Sequence, residues 1–299
     1  MELFPDYEMP AAPLADRLRP KNWERFIGQE HLIGEGLPLR KLLDSGAKLS
    51  FIFWGPPGTG KTTLARIAAR LTESEFYEIS AVNSGVADIR KVIESARKVW
   101  KSCQKGTVLF IDEIHRFNKA QQDAVLPHIE NGTFRLIGST TENPSFEVIP
   151  ALLSRCQTFH LKPLEREQIR DILNRTLLDR EKGLGDSGLQ ISPEAMDVIV
   201  SHANGDARRA LNLLEAVDNV VSQQDSKHVD LEIIQGIIQQ ATILYDKKGT
   251  EHHDHASAFQ KSLRGSDPDA AIYWLAKMIA GGENPRFIVR RLLVTAAED

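Results

Sequence analysis

Nine residues, GPPGTGKTT at positions 55–63, hold the most specific chemistry in the chain. Gly55, Gly58 and Gly60 let the backbone turn tightly, so that successive N–H groups face inward on phosphate oxygens. Lys61 has the reach to meet the outer phosphates of a nucleotide, and the Thr62 hydroxyl is placed to ligate Mg2+. Pro56, Pro57, Thr59 and Thr63 complete the loop, and a helix starting here adds the positive end of its dipole. The expected ligands are ATP and Mg2+.

Downstream, VLFIDEIHRF places Asp112 at the exit of an apolar run, where a carboxylate can hold Mg2+ through water, and Glu113 beside it can polarise an attacking water. A small-molecule kinase does not need this adjacent pair, so hydrolysis is favoured over phosphoryl transfer to a metabolite. LIGST ends in Thr140-Thr141, which puts a hydroxyl where ligands of open α/β sheets bind; Thr141 is preferred as the group that reports the γ-phosphate. Arg155, in LLSRC, could stay in a local salt bridge or project as an arginine finger into a neighbour's nucleotide, and spacing alone does not choose.

These groups need a scaffold that brings them to one edge, and the periodicity supplies it. Phe51 to Trp54 read as a strand buried on both faces, and Leu64, Ile67, Ala68 and Leu71 form one helical stripe. Further strands are expected at 76–80, 107–112, 134–140 and 157–161, with helices at 86–100 and 118–130 between them. Strands alternating with helices imply a parallel sheet covered on both faces. Past Pro163 helical patterns take over at 165–180, 193–203, 206–221 and 230–240. The expected division is a nucleotide-binding core over 1–163, a helical lid over 164–241, and a linker with a shortened helical domain over 242–299. The polar stretch between Leu244 and Gly265 is read as the linker, followed by a helical pair from Asp267 with a break at Gly281-Gly282. His252, His253 and His255 within it are read as a solvated or partner-facing loop rather than a metal site.

The chain of 299 residues is 41% hydrophobic and 26% charged, enough for about two domains with real cores. Its net charge of −4 supplies no overall positive field, so any contact with nucleic acid must come from local basic patches. Cys103 and Cys156 lack metal-ligand spacing and point to a reducing compartment. The first residues lack the cationic start and apolar core of a signal peptide, and no apolar run is long enough to span a bilayer. A soluble cytoplasmic protein is expected. The amphipathic pattern from Arg286 stops at Asp299 without a glycine or proline brake, which reads as a fragment. On the helix from Val86 to Trp100, Val86, Ile89, Ile93, Ala96 and Trp100 form one apolar stripe, with Arg90, Lys91, Arg97, Lys98 and Lys101 on an adjoining arc.

The set GPPGTGKT, FIDEIHRF, STTENPSF, LLSRC and GDARRALNLLE resembles the AAA+ ATPases of the clamp-loader clade, from about Leu14 to about Gln239. PLADRLRPKNWERFIGQEHLIG, FIDEIHRFNKAQQDAVLPHIENG and IGSTTENPSFEVIPALLSRC are similar to the bacterial replication-associated recombination ATPases, relatives of the eukaryotic Werner-helicase-interacting ATPase. The segment from Tyr245 onward resembles that family's oligomerisation region, incomplete here. The resemblance implies an α/β fold with a five-stranded parallel αβα core and an all-α lid. It implies Arg155 as a trans-acting finger and Arg208 as the second sensor, with Arg209 as the alternative. It places the adenine pocket around Arg19-Pro20 and Ile33-Gly34. It also implies that the basic helix lines a channel where DNA passes, making Arg90 and Lys91 phosphate contacts, with Arg116 and Lys119 the next candidates. Implied partners are single-stranded, gapped or forked DNA, a single-strand-binding protein or replisome components, and further copies of the chain in a homo-oligomer, a tetramer at full length. Two function classes follow: an ATP-hydrolysing remodeller acting on DNA at replication forks, and a clamp-loader-like scaffold whose ATP state gates protein partners. A branch-migration motor is a weaker third.

Overall fold

The computed structural model describes residues 12–46, 49–222, 227–245, 251–280 and 285–298. The chain divides into two compact units, Met1–Lys227 and His228–Asp299.

In the first unit, five parallel strands, β1 (Ser50–Trp54), β2 (Glu75–Ser80), β3 (Thr107–Asp112), β4 (Arg135–Thr140) and β5 (Cys156–His160), line up in the order β2-β3-β4-β1-β5. Strands β1, β3 and β4 occupy the middle and are buried almost throughout because both of their faces are covered, β1 and β3 with mainly apolar side chains. Phe51 and Phe53 of β1 and Val108 and Phe110 of β3 pack on one face with Leu64, Ile67 and Ala68 of helix α1 (Lys61–Leu71). The alternate residues Ile52, Leu109 and Ile111 pack on the other face with Ile89, Val92 and Ile93 of helix α2 (Val86–Cys103) and Val125 of helix α3 (Lys119–Glu130). Each such fully buried side chain contributes about 1.5–3 kcal/mol relative to exposure.

Three further helices of this unit, α4 (Arg166–Leu178), α5 (Pro193–Ala203) and α6 (Ala207–Val221), bury Ile169, Leu173, Ile199, Val200, Leu214 and Val217. Their ends are set by side chains: the Ser192 hydroxyl accepts from Ala195 N at 3.2 Å to start α5, and Asp206 Oδ1 accepts from Arg209 N at 3.0 Å to start α6. Leu14, fully buried, ties the N-terminal segment to α6, where its N–H donates to Glu215 Oε1 at 2.9 Å.

Two local readings change. The buried stripe of α2 is Ile89, Val92, Ile93 and Ala96, whereas Trp100 is 55% exposed; position 92 completes the i, i+3, i+4, i+7 face that position 100 overruns. In the second unit, the polar segment read as linker contains a helix, Glu251–Arg264. Ala256, Phe259 and Leu263 form one narrow stripe that packs with Ala271, Trp274, Met278 and Ile288 of the helices Pro268–Ala280 and Pro285–Glu298. The many charged residues around that single stripe mask the period in the sequence. The side chains of His252, His253 and His255, the Gly281-Gly282 break and the chain terminus at Asp299 lie outside the described residues. The second unit also contains the helix Leu231–Tyr245. Among the described residues, no helix is long and apolar enough to cross a membrane.

Candidate nucleotide-binding and hydrolytic site

The loop between β1 and α1 lies at the carboxyl edge of the sheet, where β1 separates β4 from β5. Gly58 and Gly60 take φ of +66° and +100°, and neither position has room for a side chain. A Cβ on Gly58 would run into Asp206, and one on Gly60 would come within 2.8 Å of Phe26. The loop is clamped from both sides. The Thr59 hydroxyl donates to Pro56 O at 2.9 Å. Gln29, 3% exposed, donates through Nε2 to Lys162 O at 2.7 Å and Thr59 O at 3.4 Å and accepts from Lys162 N at 2.9 Å.

Lys61 opens α1 and is buried, its Nζ donating to Gly55 O at 2.7 Å and Pro56 O at 2.8 Å. Burial pushes its pKa down, while Glu113, Asp112 and Asp206 pull it back up and Arg208 adds to the lowering. The ammonium is thus poised among carboxylates and a second cation at the loop. Asp112 ends β3, where its Oδ1 accepts from the Ser139 hydroxyl of β4. Glu113 follows in the left-handed region, φ 55° and ψ 46°.

These residues share one cleft of about 860 Å³. Its lining includes Pro57, Gly58, Thr59, Gly60, Lys61, Thr62 and Thr63 of the loop, Asp112, Glu113 and Thr141 at the strand ends, and Ala207, Arg208 and Leu211 of α6. Leu18, Phe26, Ile27, Leu164, Ile172 and Thr176 add an apolar part suited to a flat base, rimmed by Arg19. Thr141 is exposed, whereas Thr140 is buried and engaged by Glu142 N and His115, so the cleft presents Thr141. Arg208 faces the cleft; Arg209 turns to His202 Nε2 at 3.2 Å.

Other predicted residues are placed elsewhere. Ile33 is 8% exposed in the core with Trp23, Leu39 and Leu43 and does not line the cleft; Leu18, Phe26 and Ile27 are what this segment presents there. Gly55 and Pro56 do not line the cleft; their carbonyls accept from Lys61. Arg155 does not line the cleft either: it pairs with Glu130, with Nε to Oε1 at 2.7 Å, and donates to Ala151 O at 2.8 Å. Arg90 on α2, Arg116 in the β3–α3 connection and Lys119 at the start of α3 are exposed, and Lys91 pairs with Asp88 at 2.9 Å. Sequence reasoning missed Gln29, Ser139, Asp206 and His115, which meet Lys162, Asp112, Gly58 and Thr140, respectively, from distant points in the chain.

The donor set fits Mg2+. Thr62 and Asp112 offer hard oxygen ligands on one cleft, and Mg2+ typically takes only one or two carboxylates, leaving its other positions to phosphates and water. Among the described residues no cluster of three or more His, Cys, Asp or Glu could hold a metal by itself.

Residues 51–164 match the model of the ATPase family associated with various cellular activities (AAA), residues 185–264 an AAA C-terminal domain, and residues 265–299 the MgsA AAA+ ATPase C-terminal model. The chain is 47% identical over 288 residues to replication-associated recombination protein A of Haemophilus influenzae, covering 96% of this chain and 64% of that protein. It is 40% identical over 289 residues to the protein of the same name from Bacillus subtilis, covering 96% and 67%. The chain thus spans about two thirds of the length of these relatives, slightly less for the first. Among solved structures it is similar to the Thermotoga maritima RuvB Holliday junction branch migration motor, with a TM-score of 0.64 and 26% identity over 90% of this chain and 86% of that one.

Proposed function

The chain belongs to the replication-associated recombination protein A family of AAA+ ATPases, and on that premise we propose that it hydrolyses ATP to ADP and phosphate to drive remodelling of DNA at replication forks and recombination intermediates. The observation that carries the reading is the convergence of Lys61, Thr62, Asp112, Glu113, Thr141 and Arg208 on one cleft. Loop N–H groups and Lys61 hold the phosphates, and Thr62 and Asp112 hold Mg2+, which when bound neutralises charge on the phosphate oxygens. Glu113 orients and polarises the water, Thr141 contacts the γ-phosphate, and Arg208 carries the state of the nucleotide to the lid over 164–241. Leu18, Phe26 and Ile27 receive the adenine.

Arg155 serves as a finger in a neighbouring copy's site. Its absence from the cleft of its own chain favours that reading, as does the AAA+ family itself. The assembly is a homo-oligomer, a tetramer at full length, built through the region over 242–299, and it acts in the cytoplasm at the nucleoid with a single-strand-binding protein or replisome components as partners. DNA is met by the exposed cations of α2, Arg90, Lys91, Arg97, Lys98 and Lys101, with Arg116 and Lys119 beyond. In a ring, modest charge per subunit sums, because each neutralised phosphate releases condensed counterion.

The test couples turnover with binding. ATP hydrolysis measured with single-stranded, duplex and forked DNA should rise selectively with one of them. Arg90→Ala with Lys91→Ala should weaken DNA binding for all sequences and lower the salt slope by roughly one unit for each phosphate no longer neutralised, with nucleotide affinity unchanged. Turnover indifferent to every DNA favours the scaffold that gates protein partners, and an unchanged slope in the folded double variant removes α2 from the DNA path.

A further inference from the structure

His115 stands between the proposed hydrolytic carboxylate and the tip of β4. Its Nδ1 lies 2.9 Å from Thr140 Oγ1 and 3.4 Å from Glu113 Oε2, and its side chain is 10% exposed. A lone pair on Nδ1 facing a carboxylate oxygen would be repelled, so the proton belongs on Nδ1, shared between Thr140 and Glu113. Thr140 fits that assignment. Its hydroxyl oxygen has two lone pairs; one accepts from Glu142 N at 3.0 Å, leaving the other for His115.

The backbone explains why this contact forms. Glu113 adopts the left-handed region, which a long side chain rarely occupies, and the short 3-10 turn Ile114–Arg116 then doubles back toward the sheet. Ile114, fully buried, anchors the turn on β4 at Gly138, where a Cβ would come 3.1 Å from Ile114 Cδ1. A side chain on Gly138 would push the turn away. His115 is therefore registered against β4 with little freedom, and it transmits that register to Glu113.

We propose that His115 is a positioning residue for hydrolysis: bridging Thr140 and Glu113, it sets the place of the water-polarising carboxylate according to the position of the β4 tip that carries Thr141. The inference rests on the ATPase reading above, and it deepens it by naming how the phosphate-facing strand end and the hydrolytic carboxylate are coupled. Glu113 on its flexible stem has several rotamers, and only one aims an oxygen at the water; a misplacement of the order of 1 Å costs roughly 100-fold in rate.

The test uses the full chain and reads kcat, ATP affinity and melting temperature together. His115→Ala should lower kcat roughly 10- to 100-fold with ATP Kd and melting temperature close to the parent. His115→Asn, whose amide N–H falls near the place of Nδ1, should recover much of that loss. His115→Gln, whose amide falls nearer Nε2, should stay close to the Ala variant. Thr140→Val should repeat the His115→Ala loss, and the double variant should be no worse than either alone, because both remove one coupled interaction. Should Thr140→Val fail to fold, the Asn and Gln pair still decides. Equal kcat in His115→Ala and parent, equal values for Asn and Gln, or a loss of kcat that tracks ATP affinity or melting temperature overturns the bridge while leaving the ATPase reading intact. A parent chain with no turnover, under conditions where it binds ATP, overturns both.

Discussion

Lys61 and Glu113 line the same cleft, and the proposed reaction uses them at different stages. On the proposed reading, Lys61 contacts phosphate in the ground state, whereas Glu113 acts on the water, an interaction that matters at the transition state. Lys61→Ala should therefore lower ATP affinity by about 10- to 100-fold or more, the scale of a missing hydrogen bond to a charged group. Glu113→Gln should keep ATP bound and lower turnover by about 10²- to 10⁴-fold. A nucleotide titration beside a phosphate-release assay separates the two, and equal losses of affinity would remove the role of Glu113. The phosphate loop was legible because its residues are contiguous and each type has one evident task. Gln29 and Asp206 were not, because they act on the loop from 30 or more positions away through contacts that only folding creates. Ile33, which the resemblance put at the adenine pocket, lies in the core instead, because the resemblance marks a segment and only the fold decides which of its residues face the cleft.

Among the elements, the sheet was the most legible part. A run such as VLFI is apolar on consecutive positions because both faces of β3 are buried, and no surface helix or half-exposed strand demands that. The helix Glu251–Arg264 was not legible because one narrow stripe carries its packing. The segment after β4 was silent for another reason, since part of its anchoring comes from a side chain on α3. Gln122, 2% exposed, donates to Phe117 O at 2.9 Å and Glu147 O at 3.1 Å and accepts from Ile149 N at 2.9 Å. It fastens the β3–α3 connection to the segment that leads toward Arg155. Gln122→Leu keeps the volume but leaves three backbone groups without this partner, at a cost of about 2–4 kcal/mol. Melting temperature should fall by roughly 5–10 °C. A variant as stable as the parent would mean that the segment is held by its apolar anchors, Val148 and Leu152, alone.

At the scale of the whole molecule, the cleft and Arg155, the proposed finger, are physically separate within one chain. Lys61, Glu113 and Arg208 face the cleft, while the Arg155 guanidinium is engaged with Glu130 and Ala151 outside it. An exposed ion pair of this kind contributes about 0–1 kcal/mol, so Glu130 holds Arg155 too weakly to prevent a stronger anion from taking it. A γ-phosphate presented by a neighbouring copy is such an anion, and the bidentate fork of arginine matches it. If that is how the site is completed, activity belongs to the interface, and defects in two chains can compensate. Arg155→Ala and Lys61→Ala proteins, each inactive alone, should regain part of the parent's ATPase when mixed, because some interfaces then pair an intact loop with an intact finger. Sedimentation of the same mixture establishes that mixed oligomers have formed. Recovery that rises with the mixed fraction supports a finger acting in trans; mixed oligomers without recovery would mean that Arg155 serves its own chain's fold and that the cleft completes its cation set from Arg208 and its own walls.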